Sequence, residues 1–419
     1  MAAIIGLSYF SGLGIVTQIF TTLWIFGIPI TFLTVSTILA VLLGAGIINN
    51  PLLVQDRTAV SGSNISMAEK FISAAVIIYI TINIIIVFMS ALSLPVFAWD
   101  SITSEAYKAK TVFYTGSLTQ LSQAFYPNFP FYTLTAMTWG MFGQGVWDDQ
   151  YMHLIFALAF LAFTFIFFDV ARVITSRLIA YIALLLLFSS NLLIIHSTLS
   201  YRDVFMMAHT SICLIGILLW GHKGNDRFII FSAIFCALSL LTKLEGLPYF
   251  PVYLLMILLT GVLYRKTFKN IFNALIRFLC ISFIIYFPFQ IFKFTVGAGD
   301  GGWAAHVVGR EGPMMRFAMI SERFYNELFL WGNWNILFWP MVMISSLILL
   351  VVYRKDKLGV LLLISILFFF SVYWLTFFCT GSFNSIRADW CSISRYFMHF
   401  YPLAVLLISR VLFLTYESR

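Results

Sequence analysis

The sequence predicts an all-α, polytopic membrane protein of about 12 transmembrane helices, and three observations carry that prediction. Of the 419 residues, 61% are apolar and only 10% charged, with a mean hydropathy of +0.96, well outside the usage of soluble domains. Apolar runs near the 20 or so residues that a bilayer requires recur along the whole chain. The charges between them segregate as cytoplasmic and outer loops should. With both termini inside, the inner loops hold fifteen bases, among them Arg172, Lys223, Lys266, Arg354 and Lys355, against six acids, and the outer side holds the remaining ten bases and eleven acids. The net charge of +8 is therefore a signature of topology, and no nucleic-acid partner is expected.

Residues 1–50 read as an N-terminal helical hairpin, with spans from about Ser11 to Phe26 and Pro29 to Ile48 turned at Gly27-Ile28-Pro29. The N-terminus has neither a basic n-region nor a small-residue cleavage site, so the first apolar stretch is expected to be retained. A polar loop leads to a third span, Phe71 to Leu94, which delivers the chain to a first large outer loop with juxtamembrane helices at 93–148. Within it, 131–145 is short and aromatic and is expected to lie along the bilayer interface. Nine further spans follow, at about Tyr151–Val170, Leu178–Ile195, Val204–Trp220, Phe228–Leu241, Tyr249–Leu263, Ile271–Phe294, Trp334–Tyr353, Leu358–Phe378 and Tyr396–Leu414, with a second outer loop at 297–332. No fixed-period repeat divides the chain, so 1–419 reads as one domain.

Polar residues that topology does not explain gather on the outer side. Ionisable groups at span ends are costly, and their convergence on one face marks a candidate site. The first is Asp100, directly after Trp99: a carboxylate in a partly dry pocket beside an aromatic suits a general base, and equally an interfacial acid. Glu105 and Lys108, three apart on a short helix, are expected to form a surface ion pair. Asp203 follows Tyr201-Arg202 at a span start, where capping of the helix is an adequate account of an acid. Lys243 and Glu245 form either a structural pair or a cation facing a phosphate with an acid holding it in position. Arg310, in the glycine-rich second outer loop, and Arg395, beside Tyr396 at the mouth of the last span, are further candidates for a phosphate. His399 ends the series. Cys213, Cys236 and Cys280 fall in apolar spans and read as core, whereas Cys379 and Cys391 bracket an outer loop, where a disulfide is compatible with an oxidising compartment.

Trp99-Asp100 with Lys108-Ala109-Lys110 downstream, a Tyr126-Pro127 segment, Tyr201-x-Asp203, Thr242-Lys243-x-Glu245-Gly246 and Ser394-Arg395-Tyr396 together resemble, in motif order after about residue 70, the bacterial integral-membrane glycosyltransferases of the GT-C superfamily. Protein O-mannosyltransferases and the aminoarabinose transferase acting on lipid A belong to that superfamily. The resemblance implies a sugar donor on a polyprenyl phosphate, bound from the outer leaflet. It implies Asp100 as catalytic base, Asp203 as a second active-site acid, and Lys243 and Arg395 as phosphate contacts, with Trp99, Tyr201, Glu245 and Tyr396 around the substrates. Asp100-Ser101 stands where relatives carry Asp-Glu.

The resulting expectation is an inverting sugar transfer to a hydroxyl of a lipid, glycan or protein acceptor, at the non-cytoplasmic face of a bacterial plasma membrane. No cofactor is required by it, and a divalent metal is compatible but not indicated. The rival readings are a transporter or flippase of lipid-linked sugars, and a polymerase or ligase of lipid-linked oligosaccharides. Transporters commonly show repeats and helices broken at the bilayer midplane, whereas the charges here gather at span ends.

Overall fold

The computed structural model describes residues 2–49, 67–124, 127–297, 312–330, 334, 337–379 and 391–418. Among them the ordered elements are all helical. In chain order they are α1 (Ala2–Ile25), α2 (Phe32–Asn49), α3 (Met67–Ser93), a π-helical turn (Ser101–Glu105), α4 (Ala106–Thr115), α5 (Tyr132–Gln144), α6 (Leu154–Ile174), α7 (Arg177–Phe188), α8 (Asn191–His196), α9 (Asp203–Lys223), α10 (Arg227–Leu240), α11 (Gly246–Leu263), α12 (Phe268–Thr295), α13 (Pro313–Phe329), α14 (Phe338–Val351), α15 (Lys357–Cys379), α16 (Cys391–Met398) and α17 (Tyr401–Glu417). Short 3-10 turns fall at Thr119–Gln123 and Tyr151–His153.

Among the described residues, seven helical segments are long and apolar enough to cross a membrane: Ala2–Ile25, Glu69–Ser93, Tyr151–Ile174, Asp203–Lys223, Gly246–Leu263, Phe268–Thr295 and Lys357–Cys379. Shorter apolar helices at Phe32–Leu43, Arg177–Phe188, Arg227–Leu240 and Phe338–Val351 accompany them. Two expected spans are broken. Leu178–Ile195 divides at Ser189-Ser190, because the Ser190 hydroxyl accepts from the Leu193 N–H and so starts α8 afresh. Tyr396–Leu414 divides at His399-Phe400, where Pro402 in the first turn of α17 sets a new helix start.

α9 is the axis of the fold. All but two of its 21 residues are buried, so its hydrophobicity is all-round rather than one-sided, as a helix enclosed by other helices requires. Its small residues let neighbours approach closely. A Cβ on Gly216 would meet the Ser232 hydroxyl and the Phe228 carbonyl of α10. At about 1.5 Å per residue, its ends stand about 30 Å apart. At the far end from Asp203, Asp356 takes a two-pronged ion pair from Arg410 at 2.8 and 3.0 Å, and Asp226 pairs with Arg277 at 2.6 Å.

α5 departs from expectation. It is a helix, but Tyr132 to Met137, Thr138 and Met141 are buried against α1 and α4. The Tyr132 hydroxyl donates to the Phe10 carbonyl at 2.8 Å and Thr138 donates to the Ala109 carbonyl at 3.1 Å. Its aromatic and threonine residues pack against protein instead of forming the apolar face of a surface helix.

Candidate functional site

Four separate segments meet at the Asp203 end of α9. Asp203 is its first residue, with no side-chain exposure, and its carboxylate does not cap the helix as the sequence suggested. Its Oδ2 accepts from Arg395 Nε at 3.0 Å and Nη2 at 2.9 Å, and its Oδ1 from Lys243 Nζ at 2.8 Å. Arg395 Nη1 then reaches Asp100 Oδ2 at 2.9 Å. Asp100, Asp203, Lys243 and Arg395, which lie up to 295 residues apart in the chain, thus form one continuous ionic cluster. An ion pair this buried is stabilising only when geometry and further hydrogen bonds satisfy both partners, and removing one partner costs about 3–5 kcal/mol.

Two histidines complete the shell of Asp203. His399 Nε2 lies 3.2 Å from Oδ1 and His196 Nδ1 lies 3.5 Å from Oδ2. Burial holds both imidazoles below their ordinary value, against the opposing pull of Asp203. On its other side, His399 Nδ1 meets the hydroxyls of Tyr373 at 2.6 Å and Tyr249 at 2.9 Å. An ionised carboxylate only accepts, so the proton of a neutral His399 sits on Nε2 toward Asp203, which leaves Nδ1 to accept from a tyrosine hydroxyl. His196 and the partnership of His399 with Asp203 were not legible in the chain, because His196 ends an apolar run with nothing in its spacing to say which way it faces.

Lys243 is held by the turn between α10 and α11. Its N–H and that of Thr242 both donate to the Ser239 carbonyl, at 3.2 and 3.1 Å, and the Gly246 N–H returns to the Lys243 carbonyl at 3.0 Å. Gly246 is required there, since a Cβ would come within 2.8 Å of the Ser239 carbonyl oxygen. Glu245 Oε1 stands 3.4 Å from Lys243 Nζ. Burial works to raise the Glu245 carboxyl, and the Lys243 ammonium with a backbone N–H outweighs it, so the group lies below its ordinary value. For Arg395, burial works to lower the guanidinium and the Asp203 and Asp100 carboxylates overcome it, so its value is raised. Tyr201 lies under the Arg395 guanidinium, 4.5 Å from ring centroid to Cζ, and Tyr396 lies 5.6 Å from Lys243 Nζ, both within cation–π range.

Asp100 itself is 43% exposed, so it is a rim carboxylate and not one in a dry pocket. Trp99 is 73% exposed and does not shield it. Glu105 and Lys108, expected on the surface, are both buried. The π-helical turn rotates Glu105 inward, where it pairs with Arg202 and accepts from Thr133 Oγ1 at 2.8 Å and Ser104 Oγ at 3.2 Å. Lys108 Nζ lies 5.2 Å from the Phe129 centroid. Burial, then Arg202, lower the Lys108 ammonium to about 7, against the opposing pull of Glu105. Arg310 lies outside the described residues, as does the Cys391 side chain and with it the expected Cys379–Cys391 pairing.

The cluster carries three carboxylates, Asp100, Asp203 and Glu245, and two fixed cations. Among the described residues no grouping of His, Cys, Asp and Glu has the arrangement of a metal site. Both oxygens of Asp203 already face Arg395 or Lys243, and a metal cation there would compete with those charges.

No protein-family model matches the sequence, and neither does any curated protein. Among solved structures, ArnT from Cupriavidus metallidurans in the apo state is similar, with a TM-score of 0.59, 13% identity, and coverage of 81% of this chain and 60% of that one. The same protein bound to undecaprenyl phosphate is similar with a TM-score of 0.58 at the same identity and coverage. The chain therefore spans about 60% of the length of the structures it matches. At 13% identity the likeness is one of fold alone.

Proposed function

We propose that the protein transfers a sugar from a polyprenyl-phosphate donor to an acceptor hydroxyl, with Asp100 as the general base. In this reading the chain makes about 12 passes of a bacterial plasma membrane, the four shorter apolar helices and α17 completing the seven long ones, and the cluster faces the non-cytoplasmic side. The observation that carries the proposal is the pairing of half-exposed Asp100 with Arg395, whose other edge is fixed by fully buried Asp203. The GT-C fold shared with ArnT, a protein also seen with undecaprenyl phosphate bound, supports it.

The chemistry follows from which contacts are open. The donor phosphate takes the Nη1 edge of Arg395 now used by Asp100 and one of the Lys243 N–H groups, both preset by Asp203. Asp100 is thereby released toward the acceptor. As the acceptor oxygen attacks the anomeric carbon, Asp100 takes its proton, the carbon–oxygen bond to phosphate breaks, and polyprenyl phosphate leaves with the electron pair. A phosphate leaving group needs positive charge nearby more than a proton, and Lys243 and Arg395 supply it. A single displacement inverts the anomeric carbon. Asp203 contributes by holding the two cations and does not itself take a proton.

The test is transfer of labelled sugar from a polyprenyl-phosphate donor by the full chain in lipid nanodiscs. Asp100→Asn is expected to lower kcat about 10²–10⁴-fold, the usual weight of a general base, with expression and donor binding retained. Wild-type turnover in Asp100→Asn overturns the assignment of the base. Passage of intact donor across the bilayer of sealed proteoliposomes without bond cleavage overturns the transferase reading in favour of transport.

A further inference from the structure

A second acid–arginine pair lies behind the first. Asp100 precedes the π-helical turn and Glu105 ends it, and the Ala106 N–H donates to the Ser101 carbonyl five residues back. In an α-helix, residues five apart point about 140° away from each other, from 3.6 residues per turn. The wider π winding brings them nearer one face, and such turns recur at functional sites. Asp100 thus meets Arg395, while Glu105 meets Arg202.

Arg202 immediately precedes Asp203, and the contacts close a ring. It runs from Asp100 through the π turn to Glu105, across to Arg202, along the chain to Asp203, and back through Arg395 to Asp100. One side of the ring is half-exposed. The other is buried and lies against Phe129, whose centroid is 4.7 Å from the Arg202 guanidinium carbon. Arg202 Nη1 also points to the Thr242 carbonyl at 3.4 Å, one residue before Lys243. The Tyr132 N–H donates to the Leu241 carbonyl at 2.9 Å, and the neighbouring Thr133 donates to Glu105, so the same buried group touches both turns that carry site residues.

We propose that Arg202, locked by Glu105, is a positioning residue that fixes the Asp100 turn relative to the Lys243 turn. This rests on the transfer reading above only for its effect on rate. When a phosphate displaces Asp100 from Arg395, the exposed side of the ring opens. The Glu105–Arg202 side then holds the turn in register, so that Asp100 swings at its side chain and not at its backbone. Misplacement of a reacting group by about 1 Å costs on the order of 10²-fold in rate, and that is the scale of the loss expected when the pair is broken.

The experiment uses the full chain in nanodiscs with Glu105→Gln, Arg202→Lys, Arg202→Ala and Thr133→Val, the last removing one hydrogen bond to Glu105 in a mild variant that keeps the ion pair. Amide hydrogen exchange is read first, without any substrate. In Glu105→Gln and Arg202→Lys, amides of residues 100–106 are expected to exchange about tenfold faster or more, with those of 393–398 unchanged, and Thr133→Val shows the same pattern more weakly. Transfer kinetics are read second: kcat falls about 10–100-fold with donor KM within about threefold, and Arg202→Lys retains more rate than Arg202→Ala. Unchanged exchange at 100–106, or a uniform rise over the whole chain, overturns the positioning role, as does faster local exchange with wild-type kcat. If the wild-type chain transfers no sugar, the exchange data still decide for or against the brace, and only the transfer reading falls.

Discussion

Asp203 organises the site because, among the described residues, it is the one acid with no access to water that holds two cations at once. Sequence reading found Asp100, Asp203, Lys243 and Arg395 for a simple reason: each is an ionisable residue at the end of an apolar run, where burying a charge demands a partner. It placed Glu105 and Lys108 on the surface for an equally simple reason, since residues three apart on a helix normally pair with each other. What it lacked was the π winding, which no periodicity in five residues reveals. Burial of Lys108 has a measurable consequence. The unfolded chain keeps the Lys108 proton up to its ordinary value near 10.5, whereas the folded chain releases it above about 7. Between those values the unfolded state binds more protons, so stability from this group rises with pH. The unfolding midpoint in detergent is expected to climb from pH 7 to pH 9. Lys108→Met flattens the climb, and an unchanged slope in that variant removes Lys108 as its source.

At the level of elements, the apolar runs of the sequence fall in helices among the described residues, seven of them long and apolar enough to cross a membrane, and the discrepancies lie at two breaks and in the burial of α5. Ser189-Ser190 and His399-Phe400 interrupt apolar runs with only one or two polar residues each, so composition averaged over a span reads through them. The break at His399 has a function in the site: it lets α16 carry Arg395 across the cluster while His399 turns its ring to Asp203. The turn between α10 and α11 was read correctly as a polar end, but the reason for Gly246 is visible only in three dimensions. Gly246→Ala forces its Cβ into the Ser239 carbonyl. The expected outcome is a loss of about 1–3 kcal/mol, the typical cost of overpacking, together with weaker donor binding because Lys243 is carried on the same turn. Equilibrium unfolding and donor titration read the two effects, and a variant with both unchanged contradicts this account of the turn.

On the scale of the whole molecule, charge separation along the chain becomes separation in space. The Asp203 cluster occupies one end of α9, and Asp356, Arg410, Asp226 and Arg277 pair off about 30 Å away, by the length of a 21-residue helix. Charge segregation put Asp100 and Arg395 on one side of the membrane but not in contact, since 295 positions separate them and only packing around α9 joins them. The likeness to ArnT covers the fold and 60% of that protein's length, so the chemistry rests on the cluster itself. The most direct measurement is an experimental structure of the full chain with a polyprenyl phosphate bound. The account predicts phosphate oxygens within hydrogen-bond distance of both Lys243 and Arg395, with Asp100 turned away from Arg395. A phosphate seated at the Asp356–Arg410 end, or held by neither cation while the Asp100–Arg395 pair stays closed, contradicts it.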